Sequence, residues 1–175
     1  WISKIPRLKV DPDMLNYLPK KDEDVKFFKQ VGEKFGSNYI SLVGIESDNT
    51  FSYETLSTIK KLTEAFESLP DVYQVTSLTN IIDIKKVEGT LEITELISEV
   101  PKDPEALRQL RKYVLSKEMY RNRLISSDGR VSLIMVRLRE TAQKVETAKK
   151  ILELAQKTAP NYKLYYSGFP QIMEY

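Results

Sequence analysis

Apolar residues recur along this chain with two alternating periods. Between Tyr39 and Glu46 they run nearly unbroken through Ile40, Leu42, Val43 and Ile45, which suits a strand buried on more than one face. Asp48-Asn49-Thr50 breaks the run. From Ser52 onward Leu56, Ile59, Leu62, Phe66 and Leu69 return every three or four positions, with Lys60, Lys61, Glu64 and Glu67 on the other side. That spacing predicts an amphipathic helix ended by Pro70-Asp71. A helix of about 18 residues is ~27 Å long, and an eight-residue strand spans ~26 Å. The helix can therefore retrace the strand and deliver Val72 to Thr79 into the same sheet. With a right-handed crossover, that second strand is expected beside the first and parallel to it.

The same plan returns near the C-terminal end. Val131 to Val136 is an apolar run, and Ala142, Val145, Ala148, Ile151, Leu152 and Ala155 form the buried stripe of a helix expected from near Thr141 to Thr158. Tyr162, Leu164 and Tyr166 then alternate with Lys163 and Tyr165 in a closing strand. Ser132-Leu133-Ile134 answers Ser41-Leu42-Val43, Pro160 answers Pro70, and Ser167 answers Ser77. A true duplication and two independent uses of a common unit both produce such a match. Either gives two βαβ units, 39–79 and 131–170, around an insert at 80–130, within one domain spanning 1–175. The expected class is α+β: a mixed sheet with helices on one face, of the ferredoxin-like or split-βαβ kind. One face of that sheet has no helix assigned to it, so it must meet water, the insert or a partner.

Outside the two units the pattern is more broken. Pro6, Pro12 and Pro19 interrupt residues 1 to 21 and leave an irregular or extended lead-in. Asp22 can cap an N-terminal helix over Glu23 to Phe35, with Val25, Phe28, Val31 and Phe35 on one side and Gly36 as its stop. In the insert, Ile81, Ile82, Ile84 and Val87 lead to Gly89-Thr90 and then Leu91, Ile93, Leu96 and Ile97, a short hairpin expected on the edge of the sheet. Asp103 caps a further helix, with Pro104 at its first position and Glu105 in its first turn, running to about Tyr120. Leu107, Leu110 and Val114 are expected to face the core, and Arg108, Arg111 and Lys112 to face water. Leu124-Ile125-Ser126 and Val131-Ser132-Leu133 flank Ser127-Asp128-Gly129-Arg130, and Asp-Gly between apolar runs predicts a hairpin turn.

Composition narrows the chemistry. At 175 residues a chain buries roughly 70% of its unfolded surface, so neither a metal nor a disulfide is needed to hold a core. Lys+Arg of 27 against Asp+Glu of 25 leaves +2, too balanced to predict a nucleic-acid partner from charge. With no Cys and no His, thiol nucleophiles, imidazole bases and nearly all zinc, copper or haem sites are excluded. No apolar run approaches the ~20 residues of a membrane-spanning helix. The chain begins at Trp1-Ile2 and ends at Ile172-Met173-Glu174-Tyr175, with aromatic residues at both ends as at a membrane interface, though a cloning boundary explains them equally well.

No motif points to catalysis or to a cofactor. Gly32, Gly36, Gly44, Gly89, Gly129 and Gly168 form neither a P-loop nor a dinucleotide fingerprint. Asp22-Glu23-Asp24 suits a helix start better than a calcium loop. Ser126-Ser127-Asp128 has no base beside it and reads as a turn. Lys60-Lys61 and Lys149-Lys150 lie on helix solvent faces, and nothing buries them as a catalytic lysine requires. The strand Arg130 to Val136 lacks the aromatics and basic-Gly signature of an RNA-recognition sheet, so no nucleic acid is expected. The one aromatic concentration is Tyr162, Tyr165 and Tyr166, with Phe169 and Tyr175 beyond, and strand composition accounts for it more simply than ligand stacking.

An ordered set of short phrases carries a resemblance. Asn16-Tyr17-Leu18-Pro19, Phe35-Gly36-Ser37-Asn38, Asp48-Asn49-Thr50-Phe51 and Val75-Thr76-Ser77-Leu78-Thr79-Asn80 belong to the first half. Arg121-Asn122-Arg123-Leu124-Ile125-Ser126-Ser127-Asp128-Gly129 and Tyr166-Ser167-Gly168-Phe169-Pro170 belong to the second. Together they resemble the first large extracytoplasmic loop of predicted exporters of the resistance-nodulation-division (RND) superfamily, in the hydrophobe/amphiphile branch with its MMPL-like lipid transporters. The resemblance implies a periplasmic porter-like subdomain between two membrane helices, catalytically silent, with no metal or cofactor. The family's proton-relaying acids lie in membrane helices, so none is carried onto this chain. The implied partners are the second extracytoplasmic loop and membrane helices of the parent transporter, a hydrophobic or amphiphilic molecule such as a lipid, and further copies in a homo-oligomer. Tyr165, Tyr166, Phe169, Met119 and Tyr120 are the expected cargo-lining residues, unless they are core. A free-standing ferredoxin-like interaction or regulatory module is the alternative.

Overall fold

The computed structural model describes Asp22, Glu23, Lys26, Phe27, Gln30 and residues 39–87 and 89–168. The chain divides into two compact units, Trp1–Phe35 and Gly36–Tyr175. In the first, Glu23, Lys26, Phe27 and Gln30 are helical. The Lys26 amide donates to Asp22 O at 3.1 Å, where a helix start was expected. The irregular lead-in over 1–21, the Gly36 stop and Phe169 with the residues after it lie outside the described residues.

In the second unit the elements follow the order β1 (Ile40–Glu46), α1 (Tyr53–Glu67), β2 (Val72–Thr76), β3 (Ile82–Val87), β4 (Thr90–Glu95), α2 (Pro104–Ser116), β5 (Val131–Leu138), α3 (Lys144–Thr158) and β6 (Lys163–Gly168). Local chemistry explains most of the boundaries. Ser52 caps α1, its hydroxyl accepting from the Thr55 amide at 3.1 Å. Asp103 does the same for α2 through the Ala106 amide at 2.8 Å, with Pro104 following. The second of these helices stops at Ser116, short of the expected Tyr120. The α3 helix starts at Lys144, without a side-chain cap, so Ala142 is buried just ahead of it rather than within it.

The main sheet has four strands in the order β2-β5-β1-β6, and each neighbouring pair is antiparallel. This corrects two expectations. The sheet is antiparallel rather than mixed, and β2 does not lie beside β1. The β5 strand takes the place between them, pairing Val43 with Ile134 on one side and Val75 with Val136 on the other. Likewise β1 separates β5 from β6, with Val43 also opposite Tyr166. Each unit is thus a pair of strands running the same way with one strand of the other unit between them. The result is an α+β fold compatible with a ferredoxin-like arrangement.

Side chains on β5 alternate in burial along its whole length. Ser132, Ile134, Val136 and Leu138 turn inward with Ser41, Val43 and Ile45 of β1 and Val72 and Val75 of β2. Over this face lie α1, with Leu56, Ile59, Leu62 and Phe66 buried, and α3, with Ala148, Ile151 and Ala155 buried; the two helices also pack on each other. Small alanines in α3 permit close approach to the sheet. Ser41 and Ser132, matched in the sequence, are both fully buried on this face. Ser77 and Ser167 are not equivalent: Ser77 is buried in the turn after β2, while Ser167 is exposed on β6.

The β3–β4 hairpin forms its own two-stranded sheet, which corrects the expectation that it would lie on the edge of the main sheet. Its offset leaves β2 and β6 as the edges of the main sheet. At the other predicted turn, the Ser126 amide donates to Val131 O at 2.9 Å, the Gly129 amide donates to Ser126 O at 2.9 Å, and Gly129 takes φ +75°. Only glycine adopts that conformation without strain. The turn is fixed further by Arg111, which donates to Asp128 O at 3.1 Å instead of facing water.

Candidate functional site

Three parts of the folded unit hold polar or aromatic groups in defined geometry. The first is the sheet face turned away from α1 and α3. The register places Leu42, Met135 and Thr76 in one row, Leu133, Gly44 and Tyr165 in the next, and Val131, Glu46 and Lys163 in a third. Ile40, Leu42, Val131, Leu133 and Met135 are partly exposed, so this face is apolar at its centre. The ring of Tyr165 covers Gly44: a Cβ added to that glycine would sit 3.3 Å from Tyr165 Cβ and 3.7 Å from Val131 Cγ1. An aromatic packed on a strand glycine in this way replaces the contacts the missing side chain forgoes.

Charge collects at one end of the same face. The Tyr165 hydroxyl donates to Glu46 Oε2, Lys163 Nζ lies 3.2 Å from that oxygen, and Arg130 bridges Glu46 at 4.0 Å and Asp48 at 3.2 Å. Lys163 also sits 5.0 Å from the Tyr165 ring centroid. The Tyr165 hydroxyl, followed by Lys163 and the Arg130 charge, holds the Glu46 carboxyl below its usual range. Tyr165 and Glu46 in turn raise Lys163. Glu46 therefore stays an anion and Lys163 a cation at neutral pH, which makes this corner a fixed ion pair rather than a proton-transfer pair.

The second part is built on Asp83. Although it stands in the apolar run of β3, its carboxylate is 2% exposed. Tyr113 of α2 donates to both its oxygens at 3.0 Å, Tyr120 donates to Oδ1 at 2.7 Å, and Lys85 Nζ lies 3.2 Å from Oδ2. Lys85 and Lys117 approach the Tyr113 ring at 4.9 and 5.2 Å. Burial by itself would raise the Asp83 pKa, but the hydroxyls of Tyr120 and Tyr113 and the Lys85 ammonium together leave it lowered. Burial and the facing carboxylate push Tyr113 and Tyr120 up. With the acid ionised and both phenols protonated, the cluster ties the hairpin to α2 and the loop after it.

The third part comprises the turns. Ser77, Thr79 and Thr63 form a buried hydroxyl chain, at 2.9 Å from Thr63 to Ser77 and from Ser77 to Thr79. Asn80 accepts from the Ser77 amide at 2.8 Å and donates to Val75 O at 2.9 Å. Asn49 accepts from the Phe51 amide at 3.1 Å, and Ser126 accepts from the Val131 amide at 2.9 Å. Asn122 holds a left-handed φ of 61°. Several phrases that carry the exporter resemblance are, in this chain, the side-chain locks of its turns.

The expected lining residues do not share one surface. Tyr165 is 43% exposed on the helix-free face. Tyr166, its neighbour, points to the opposite face, with a buried hydroxyl that has no partner among the described residues and a pKa raised by burial. Tyr120 is fully buried against Asp83, and Met119 beside it is 51% exposed. Phe169 lies outside the described residues. A polar cleft of about 470 Å³ beside β2, bordered by Glu67, Tyr73, Asn80 and Arg139, includes none of them. Among the described residues no group of three His, Cys, Asp or Glu side chains is placed to hold a metal. No helix of the described residues is long and apolar enough to cross a membrane.

Sequence reasoning missed the Asp83 cluster. Its signal was present: a lone carboxylate within Ile81-Ile82-Asp83-Ile84 must find partners if that run is to be a strand with a buried side. Compared with known proteins, the chain matches no family model and no curated protein.

Proposed function

We propose that this chain is the extracytoplasmic loop domain of a proton-driven RND-type exporter at the cell membrane. In this reading its ferredoxin-like sheet is a porter subdomain that helps line a cleft or conduit for a hydrophobic or amphiphilic, lipid-like molecule. The observation that supports it best is the apolar sheet face carrying Ile40, Leu42, Leu133, Met135 and Tyr165, which neither α1 nor α3 covers. Such a face gives aliphatic chains a partner while the Glu46, Lys163 and Arg130 corner offers both signs of charge to a polar head. The domain performs no chemistry of its own. Proton flow through membrane helices supplies the energy, and the second extracytoplasmic loop closes the conduit.

Two measurements test this. Reading the encoding gene outward should reveal an apolar segment of ~20 residues on each side. A start codon just upstream together with a stop codon just downstream would sink the proposal. For cargo, a fluorescent naphthalene dye should bind the chain, be displaced by phospholipid, and lose affinity in Met135→Glu and Tyr165→Ala variants whose circular dichroism is unchanged. Unaltered dye binding in both variants removes this face from the conduit.

A second reading, a free-standing interaction or regulatory module, is favoured by the outward-facing aliphatic side of the β3–β4 hairpin. It gains if the gene shows no flanking apolar segments.

A further inference from the structure

At its first residues β5 has no β2 residue beside it. The β2 ladder reaches only Met135 to Leu138, while residues 131–133 pair with β1 on one side and with residues 124–126 on the other. On that second side the Ser126 amide donates to Val131 O and the Leu133 amide to Leu124 O, both at 2.9 Å. The chain just before is fixed by its own backbone: the Asn122 amide donates to Ile125 O at 2.6 Å and the Arg123 amide to Tyr120 O at 3.2 Å. A short loop is thereby held at the rim of the helix-free sheet face, to which Val131 and Leu133 belong.

Between loop and strand lies a cleft of about 170 Å³, lined by Asn122, Arg123, Ile125, Ser126, Val131 and Leu133. Three of these are aliphatic, and none is a carboxylate. The Ser126 hydroxyl is committed to its turn, accepting from the Val131 and Arg130 amides and donating to Asp128. Asn122 and Arg123 are exposed, and among the described residues neither side chain has a hydrogen bond or an ion pair. Arg108, Arg111, Arg130 and Arg139, by contrast, each hold an acceptor. This apolar cleft therefore carries an unneutralised guanidinium and a free amide.

We propose that the cleft is a head-group subsite of the cargo face, and that its ligand is an amphiphile with an anionic head, a carboxylate or a phosphate. The proposal rests on the transport reading of that face. The planar guanidinium of Arg123 offers such a head two parallel N–H donors, and the Asn122 amide offers another. At ~30 Å³ for each water-sized group, the cleft holds a head and the first few carbons of a chain, not a whole lipid. The rest of the chain crosses Leu133, Gly44 and Tyr165, which lie side by side in the register and span ~10 Å over three strands. Charge selects this cleft over the Glu46 corner for an anion. There Lys163 and Arg130 already face Glu46 and Asp48, whereas Arg123 has no such competitor among the described residues.

Calorimetric titration of the whole chain with decanoate, decyl phosphate and decyl glucoside, each below its micelle-forming concentration at neutral pH, keeps one tail and varies the head. The anions are expected to bind about tenfold more tightly than the glucoside, and the tighter of the two identifies the head. Arg123→Gln, a change at an exposed position, should abolish that margin while leaving the glucoside affinity and the circular dichroism unchanged. Equal affinity for all three ligands overturns the proposal and leaves the cargo face standing, as does an Arg123→Gln chain that keeps the margin. If none of the three binds, the transport reading of the face fails, and the subsite with it.

Discussion

Replacing Asp83 with asparagine removes one negative charge and almost no volume, so it tests what the carboxylate contributes. In the native chain the two oxygens accept from Tyr120 at 2.7 Å and from Tyr113 at 3.0 Å, and Lys85 lies at 3.2 Å. An amide keeps one acceptor, which Tyr120 can retain as a neutral bond, but it turns an NH2 group toward Lys85. Charge-assisted bonds exceed neutral ones by about 1 kcal/mol each, so two tyrosine bonds together lose about 2 kcal/mol. The Lys85 pair adds little, because that ammonium is 41% exposed and screened. Asp83→Ala should cost more, about 3–4 kcal/mol, since the fully buried Tyr120 hydroxyl then has no acceptor.

Urea denaturation followed by far-ultraviolet circular dichroism measures both variants. A double-mutant cycle with Tyr120→Phe should return a coupling of at least about 1 kcal/mol. The sign of the pH dependence follows from the lowered Asp83 pKa. A group depressed in the folded state stabilises above its unfolded value and loses that contribution as pH falls through its folded value. The Asp83→Asn penalty should thus be full at pH 7 and shrink as pH falls below about 4, the ordinary carboxylate range. An Asp83→Asn midpoint equal to wild type at neutral pH, or a cycle additive within about 0.3 kcal/mol, would refute the assignment of the cluster as the tie that holds the hairpin.

Two further substitutions probe the sheet. Gly168 has φ +112°, and a Cβ there would lie 2.1 Å from Ile40 O, so Gly168→Ala must move the end of β6 away from β1. Its urea midpoint should fall by the equivalent of about 3 kcal/mol or more, and a wild-type midpoint would show that the strand end yields freely. Tyr166→Phe removes a buried hydroxyl that has no partner among the described residues, so stability should stay level or rise by up to about 1 kcal/mol; a comparable loss would reveal an acceptor.

The two-period pattern was enough to locate every strand and helix of the second unit to within a few residues, because hydrophobic spacing and capping chemistry act over one or two turns of chain. Ser52, Asp103 with Pro104, and Asp128-Gly129 each do in the structure what their residue types dictate. The doubled strand-helix-strand plan was legible for the same reason. Strand order was not. Whether β2 lies beside β1 or leaves room for β5 depends on pairing between residues far apart in sequence, and both arrangements bury the same apolar positions. The β3–β4 hairpin shows the limit most clearly. Its alternation marks a strand pair and an apolar side, but alternation has no sign. Only Asp83, held by Tyr113 and Tyr120 from another element, decided that the polar side faces inward and the aliphatic side faces out. Tyr165 and Tyr166 were likewise destined for opposite faces by the period of a strand, and tertiary packing alone determined which of the two faces the helices would cover.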